Sequence, residues 1–392
     1  MRVMRVGVTM ITAWLLISGC VANRDLAHKP CLLSPQGCRA LRAGDFTNLD
    51  SSSVIDAPEF EKRVVEQGGT VEFVFGDDRP FRQCHASTLT QAANGDLLAA
   101  WFGGTREKNP DVAIWMSRRA ASVWTPPQKI ARAREMAHWN PVLFTDPASG
   151  AIHLFFKVGL DPKIWSTWRR ISRDHGLTWT DPEELVPGDV GGRGPVKNKP
   201  IVLSDGTWLA PASTEKGGWQ CFADRSTDGG RTWTRTDNFP RDPSIPRRVG
   251  GAIQPTFWES EPGHVTALAR TGARQIWKTT SEDYGQTWAP MVPAGLPNNN
   301  SGIDALRLED GRVLLVFNPV NINWGPRTPL SLAVSGDNGN TWKLLAHLEN
   351  DCNLDSEYSY PAIIRVNDGI AISYTWNRER VRVWRVPLSC LE

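Results

Sequence analysis

The chain has 392 residues, with 44 Lys and Arg against 42 Asp and Glu, a formal net charge of +2, and about 40% apolar residues. That apolar share is enough to bury a core, and balanced charge without a basic block gives no support to nucleic-acid binding. No CxxC and no His-rich cluster suggests a metal, so no metal site and no cofactor are expected.

The first residues read as an address. Arg2 and Arg5 precede an apolar run from Val6 to Ile17, too short for a comfortable membrane span. The run ends in Ile17-Ser18-Gly19-Cys20, which resembles the bacterial lipobox. There the Cys becomes the acylated first residue of the mature chain. An ordinary cleaved signal peptide with a chance Cys is the alternative, and either reading exports the protein. No later segment is apolar enough to cross a bilayer, so lipid on Cys20 is the expected membrane anchor. Residues 1–19 are then a leader and 20–68 a polar, weakly patterned tether. An oxidising compartment permits disulfides. Proximity pairs Cys31 with Cys38 and Cys352 with Cys390, out of about 15 connectivities that six thiols allow.

Residues 69–392 are organised by repeats. A strand-like segment, Thr70 to Phe75, comes first. Copies of an apolar strand, a turn and a second apolar strand then begin near His85, Asn140, Lys199, Gln254, Asp304 and Tyr360. Pro follows directly at Pro141, Pro200, Pro255 and Pro361. Asn94-Gly95, Asp205-Gly206, Asp310-Gly311 and Asp368-Gly369 supply hairpin turns. Between the copies runs Ser-x-Asp-x-Gly-x-Thr-Trp, at Ser172 to Trp179, Ser226 to Trp233, Ser281 to Trp288 and Ser335 to Trp342. Ser117 to Trp124 is a degenerate fifth. The closing Trp residues recur every 54 or 55 residues. Asp in such a turn accepts N–H bonds from its own loop, Gly takes a positive φ, and Trp covers the hairpin.

Six copies imply an all-β, six-bladed β-propeller. The last copy has three strands and no box, so Thr70 to Phe75 is expected to complete that blade and lock the ring. In a propeller the inner strands all start at one face. His85, Asn140, Lys199, Gln254, Asp304 and Tyr360 are therefore expected to ring one channel mouth, as a polar binding site or as a wet structural opening.

The boxes match the Asp-box, and residues 69–392 resemble the sialidases, most closely a group of bacterial predicted neuraminidases. The resemblance implies a glycan substrate with a carboxylated sugar, held by arginines whose planar donors suit a carboxylate. Arg270 and Arg327 match two of the three. The first stands in a Phe/Tyr-Arg-Ile-Pro motif. Here Phe81-Arg82-Gln83-Cys84-His85-Ala86 puts Cys84 at that arginine, with Arg82 two residues away. Sialidases use a Tyr nucleophile, an exception among glycosidases. Glu357-Tyr358-Ser359-Tyr360-Pro361 resembles the Tyr-Ser motif, with Tyr358 at the nucleophile's place; packing at a strand start is its other reading. The activating Glu is replaced by Gln254, for which Glu357 or His85 is the expected substitute. Glu107 and Asp111, in the loop after the first blade's second strand, are candidates for the acid/base, or else solvated loop charges. The leading expectation is a sialidase-like glycoside hydrolase for sialic acid or a related sugar. The alternatives are a non-catalytic glycan-binding propeller and a lyase acting on uronate-containing glycans.

Overall fold

A computed structural model describes residues 47–245 and 250–392. Cys20, the leader and the first part of the expected tether lie outside them. Among the described residues no helix is long and apolar enough to cross a membrane.

Each box does what its composition dictates. In the box of blade two, the Ser172 hydroxyl donates to Asp174 Oδ1 at 2.8 Å and accepts the Gly176 N–H at 2.8 Å. Asp174 takes the Thr178 N–H at 2.9 Å and the Thr178 hydroxyl at 2.5 Å. Gly176 sits at φ 84°, and a Cβ there would lie 2.3 Å from Leu98 of the neighbouring blade. The Thr178 bonds hold the Asp174 carboxyl down to about 2. The same bonding recurs at Asp228, Asp283 and Asp337. Each box follows a third strand (Ser166–Ser172, Gln220–Ser226, Gln275–Ser281, Leu330–Ser335) and turns the chain toward a fourth.

The strands form six separate sheets, each built on antiparallel neighbours. Apolar residues facing outward from neighbouring sheets meet in six clusters, one at each seam. This is the six-bladed β-propeller that the repeats predict. Blade six has Tyr358–Val366, Gly369–Trp376 and Arg380–Pro387, and Thr70–Phe73 pairs antiparallel with the last of these, closing the ring.

The folded body begins earlier than the tether expectation allows. Leu49–Asp50 adds a parallel fifth strand beside Trp342 and Lys343 of blade five. Helix α1 (Ala57–Glu66) then packs between blades five and six. Pro in its first turn suits the fixed helical φ, and Ala57, Phe60 and Val64 make its buried face. Phe60 stacks on Trp384 at 5.7 Å. Three apolar positions in a short polar stretch are too faint a stripe to stand out in the sequence. The expected pairing of Cys352 with Cys390 does not form: Cys352 is disulfide-bonded and Cys390 is a free thiol. Cys31 and Cys38 lie outside the described residues.

Candidate active site at the channel mouth

The inner strands carry a shared irregularity that aims side chains at the axis. Their pairing slips by one residue between His85 and Thr88, Trp139 and Val142, Ile253 and Thr256, and Ser359 and Ala362. The residue inside each bulge is left-handed: Ala86, Asn140, Gln254 and Tyr360 have φ of 54°, 38°, 55° and 53°. A Pro can follow because the bulge leaves that position without a ladder donor to supply.

This register corrects two expectations. The Pro of blades two, four and six follows the bulge residue, so in blade one Ser87 stands at that place, and Ala86 is the equivalent of Asn140. The arginine position of the Phe/Tyr-Arg-Ile-Pro motif then falls on His85 and not on Cys84. Second, the bulge separates the two tyrosines of blade six. Tyr358 points into the seam with blade five, beside Phe60, Leu330 and Trp384. Its hydroxyl donates to Asp351 Oδ2 at 2.6 Å, and burial together with that carboxylate pushes the phenol well above its ordinary range. It is a packing residue and not the nucleophile candidate. Tyr360 faces the channel.

Around Tyr360 the charged groups converge. Arg270 Nη1 donates to Tyr360 Oη at 3.1 Å. The guanidinium of Arg270 lies 5.5 Å from the Tyr360 ring and 5.4 Å from that of Trp219. The Arg327 guanidinium is 5.8 Å from the same Tyr360 ring. The His85 ring meets it at 4.3 Å. Arg327 Nη1 donates to Glu357 Oε1 at 2.6 Å and to Ser359 Oγ at 3.1 Å. Sequence reasoning did not anticipate Arg378. Its Nε donates to both Glu357 oxygens at 3.0 Å, and its Nη1 to Glu107 at 2.5 Å. Arg378 sits in the hairpin turn after Trp376, where only proximity to the axis marks it out. Arg327, Glu357 and Arg378 line a cavity of about 350 Å³ with Asn299 and Trp324.

The electrostatics follow from this packing. Burial alone would raise the Glu357 carboxyl, but Arg327 and Arg378 reverse that and hold it below its usual range. Glu357 is an ionised carboxylate. His85 Nδ1 lies 2.9 Å from the Thr375 hydroxyl and 3.6 Å from Glu357. Burial, then the nearby Arg378, Arg327 and Arg270, push the imidazole far below its ordinary value, so it is neutral at pH 7. Arg327 and Arg378 are both engaged by carboxylates. Among the described residues no carboxylate pairs with Arg270, and its Nε is buried without a partner. So are Gln254 Oε1, Asn298 Nδ2, Asn300 Oδ1 and Ser301 Oγ.

The other predicted residues divide. Asn140 is buried in its bulge at the mouth. Lys199 and Asp304 do not offer free groups: Lys199 Nζ donates to both Asp304 oxygens at 3.1 and 3.0 Å. Opposite charges at two ring positions neutralise each other across blades three and five. Arg82 is exposed and does not supply the missing arginine. Asp111 closes its own loop, accepting the Thr105 N–H at 2.6 Å and the Thr105 hydroxyl at 2.8 Å. Glu107 joins the cluster through Arg378.

A family model described as BNR repeat-like domain matches residues 95–372. No curated protein matches in sequence. Several solved structures share the fold at low identity. A Hadza microbial sialidase, Hz136, is 19% identical with a TM-score of 0.66, over 82% of this chain and 69% of its own. The NanB sialidase of Streptococcus pneumoniae is 15% identical, with a TM-score of 0.62 over 81% and 69%. A protein of unknown function from Dyadobacter fermentans is 16% identical, with a TM-score of 0.64 over 81% and 98%. These likenesses concern the propeller fold alone. Since the family model covers well over half of its length, the chain belongs to the BNR repeat-like domain family.

Proposed function

We propose that this protein is a sialidase-like glycosidase that removes a terminal carboxylated sugar from a glycan, with Tyr360 as nucleophile. The observation that carries this reading is the Tyr360 phenol, hydrogen-bonded to the Arg270 guanidinium at 3.1 Å at the channel mouth. Arg270, the arginine without a carboxylate partner in the cluster, grips the sugar carboxylate. The phenol oxygen bonds to the anomeric carbon as the glycosidic C–O bond breaks. The phenol proton leaves to solvent, from which the leaving oxygen is protonated. Water then cleaves the tyrosyl adduct. Glu107 and Asp111 are engaged by Arg378 and Thr105, so neither acts as the acid without first releasing its partner.

A second reading, recognition without turnover, has one observation behind it: Gln254 stands where the resemblance expects the activating Glu, and an amide is no base. The leader and Cys20 fit an exported, lipid-anchored form of the protein for either role. The test is a screen of the full chain on aryl sialosides and aryl glucuronides. Turnover that is lost in Tyr360→Phe and kept in Tyr358→Phe supports the glycosidase; calorimetric binding of sialic acid or glucuronic acid with no turnover supports the second reading.

A further inference from the structure

Blade three is unlike the others at the axis. Its inner strand is only Ile201–Val202, and the segment before it delivers Lys197 and Asn198, both buried, into the channel. Lys197 Nζ donates to Asn198 Oδ1 at 2.8 Å, to the Ile303 carbonyl at 3.0 Å and to the Pro361 carbonyl. All three ammonium hydrogens thus have acceptors, on blades three, five and six. Asn198 Nδ2 donates to the carbonyls of Gln254 at 3.2 Å and Pro255 at 2.9 Å.

Apart from that of Ile303, the gripped carbonyls belong to the bulges. Gln254 and Pro255 form the bulge of blade four, and Pro361 directly follows the bulge residue Tyr360. A bulge removes its carbonyls from the sheet ladder, and such groups in a buried channel must find other partners. Blade six is held on its other side too: Asp304 Oδ2 accepts the Ile363 N–H at 2.9 Å, and Asp304 Oδ1 the Thr256 hydroxyl at 2.8 Å. A Cβ on Gly302 would lie 3.2 Å from Lys197 Cε and 3.5 Å from Tyr360. Lysine and tyrosine are therefore packed through one glycine. A bulky residue at φ 53° persists only where its surroundings over-determine it.

We infer that Lys197 is a positioning residue for Tyr360, clamping the blade-six bulge from across the axis so that the phenol is aimed at Arg270. The inference rests on the reading of Tyr360 as the reacting group. It touches neither substrate nor the reacting atoms itself, and it works through the Pro361 carbonyl.

The full chain labelled with 3-fluorotyrosine has four fluorine sites, and Tyr360→Phe assigns one of them to Tyr360. In Lys197→Met the Tyr360 resonance is expected to shift or broaden while that of Tyr284, in the box of blade four, stays in place. On whichever aryl glycoside the wild type turns over, kcat falls about 10- to 100-fold with KM changed less than about threefold, as for a misplaced reacting group. Where Lys197→Met does not accumulate folded, Lys197→Gln, which keeps an N–H donor without the charge, carries the same readouts. An unmoved Tyr360 resonance in a folded variant overturns the inference. A moved resonance in a protein whose wild type hydrolyses neither glycoside leaves the clamp standing and removes the glycosidase reading instead.

Discussion

The assignment of Tyr360 over Tyr358 can be tested by removing one oxygen at a time. Tyr358→Phe deletes a buried hydrogen bond from a phenol to the Asp351 carboxylate at 2.6 Å. Hydrogen bonds to charged groups contribute about 1.5–3 kcal/mol. Asp351 Oδ2 keeps the Ser356 hydroxyl at 2.8 Å, so the carboxylate is not stranded and the cost falls at the lower end. A loss of about 1.5–2 kcal/mol corresponds to a Tm drop on the order of 3–8 °C, given roughly 2–4 °C per kcal/mol in somewhat smaller domains. Tyr360→Phe deletes a bond to Arg270 at the channel mouth and should lower Tm by no more than about 2 °C. Its activity should fall at least about 10³-fold, equivalent to about 4 kcal/mol of barrier. Scanning calorimetry and turnover of the same preparations give both numbers. Full activity in Tyr360→Phe, or an inactive Tyr358→Phe with unchanged Tm, would refute the reasoning about the bulge.

Phe60→Ala should cost about 3–5 kcal/mol in urea unfolding, because Phe60 is fully buried against Trp384; a loss below about 1 kcal/mol would mean helix α1 is not part of the body. Gln254→Glu places a carboxylate one residue from the strand partner of Arg270 and should raise turnover at least about tenfold if proton removal limits the rate; an unchanged or lower rate shows that proton removal is not limiting. The box Asp174 has a folded value of about 2 against its ordinary 3.8. Its contribution is present above pH 3.8 and is lost as pH falls through about 2. Asp174→Asn should therefore lower Tm at pH 7 and narrow the gap to wild type on acid titration toward pH 2; an equal gap at both pH values would contradict the linkage.

The scaffold was legible because its signals are local. A box needs only its own Ser, Asp, Gly and Thr to close, so Ser172 to Trp179 announces the turn wherever it sits. The closing strand was legible from arithmetic, since the last copy lacked a partner. Side-chain direction at the site was not. In a regular strand Tyr358 and Tyr360, two residues apart, would face the same side. The extra bulge residue breaks that parity, and sequence marks it only through the following Pro361. In blade one even that mark is missing, since Ser87 replaces the Pro, and the reading of Cys84 slipped by one residue. Arg378 was invisible for another reason: it lies 51 residues from Arg327 in the chain, and only the packing of blade six on blade five brings the two to one carboxylate. Lys199 and Asp304 looked like ligands because each was taken singly; together they are an ion pair.

Blade six takes its outer strand from Thr70–Phe73 and the rest from the final stretch of the chain. A nascent chain leaving the ribosome therefore carries an unpaired strand edge while the five intervening blades are made. The edge is satisfied only when Arg380–Pro387 emerges, so this seam is where self-association would compete with folding. A truncation that removes the last strand would leave two open edges on one molecule, each complementary to the other edge on a second copy.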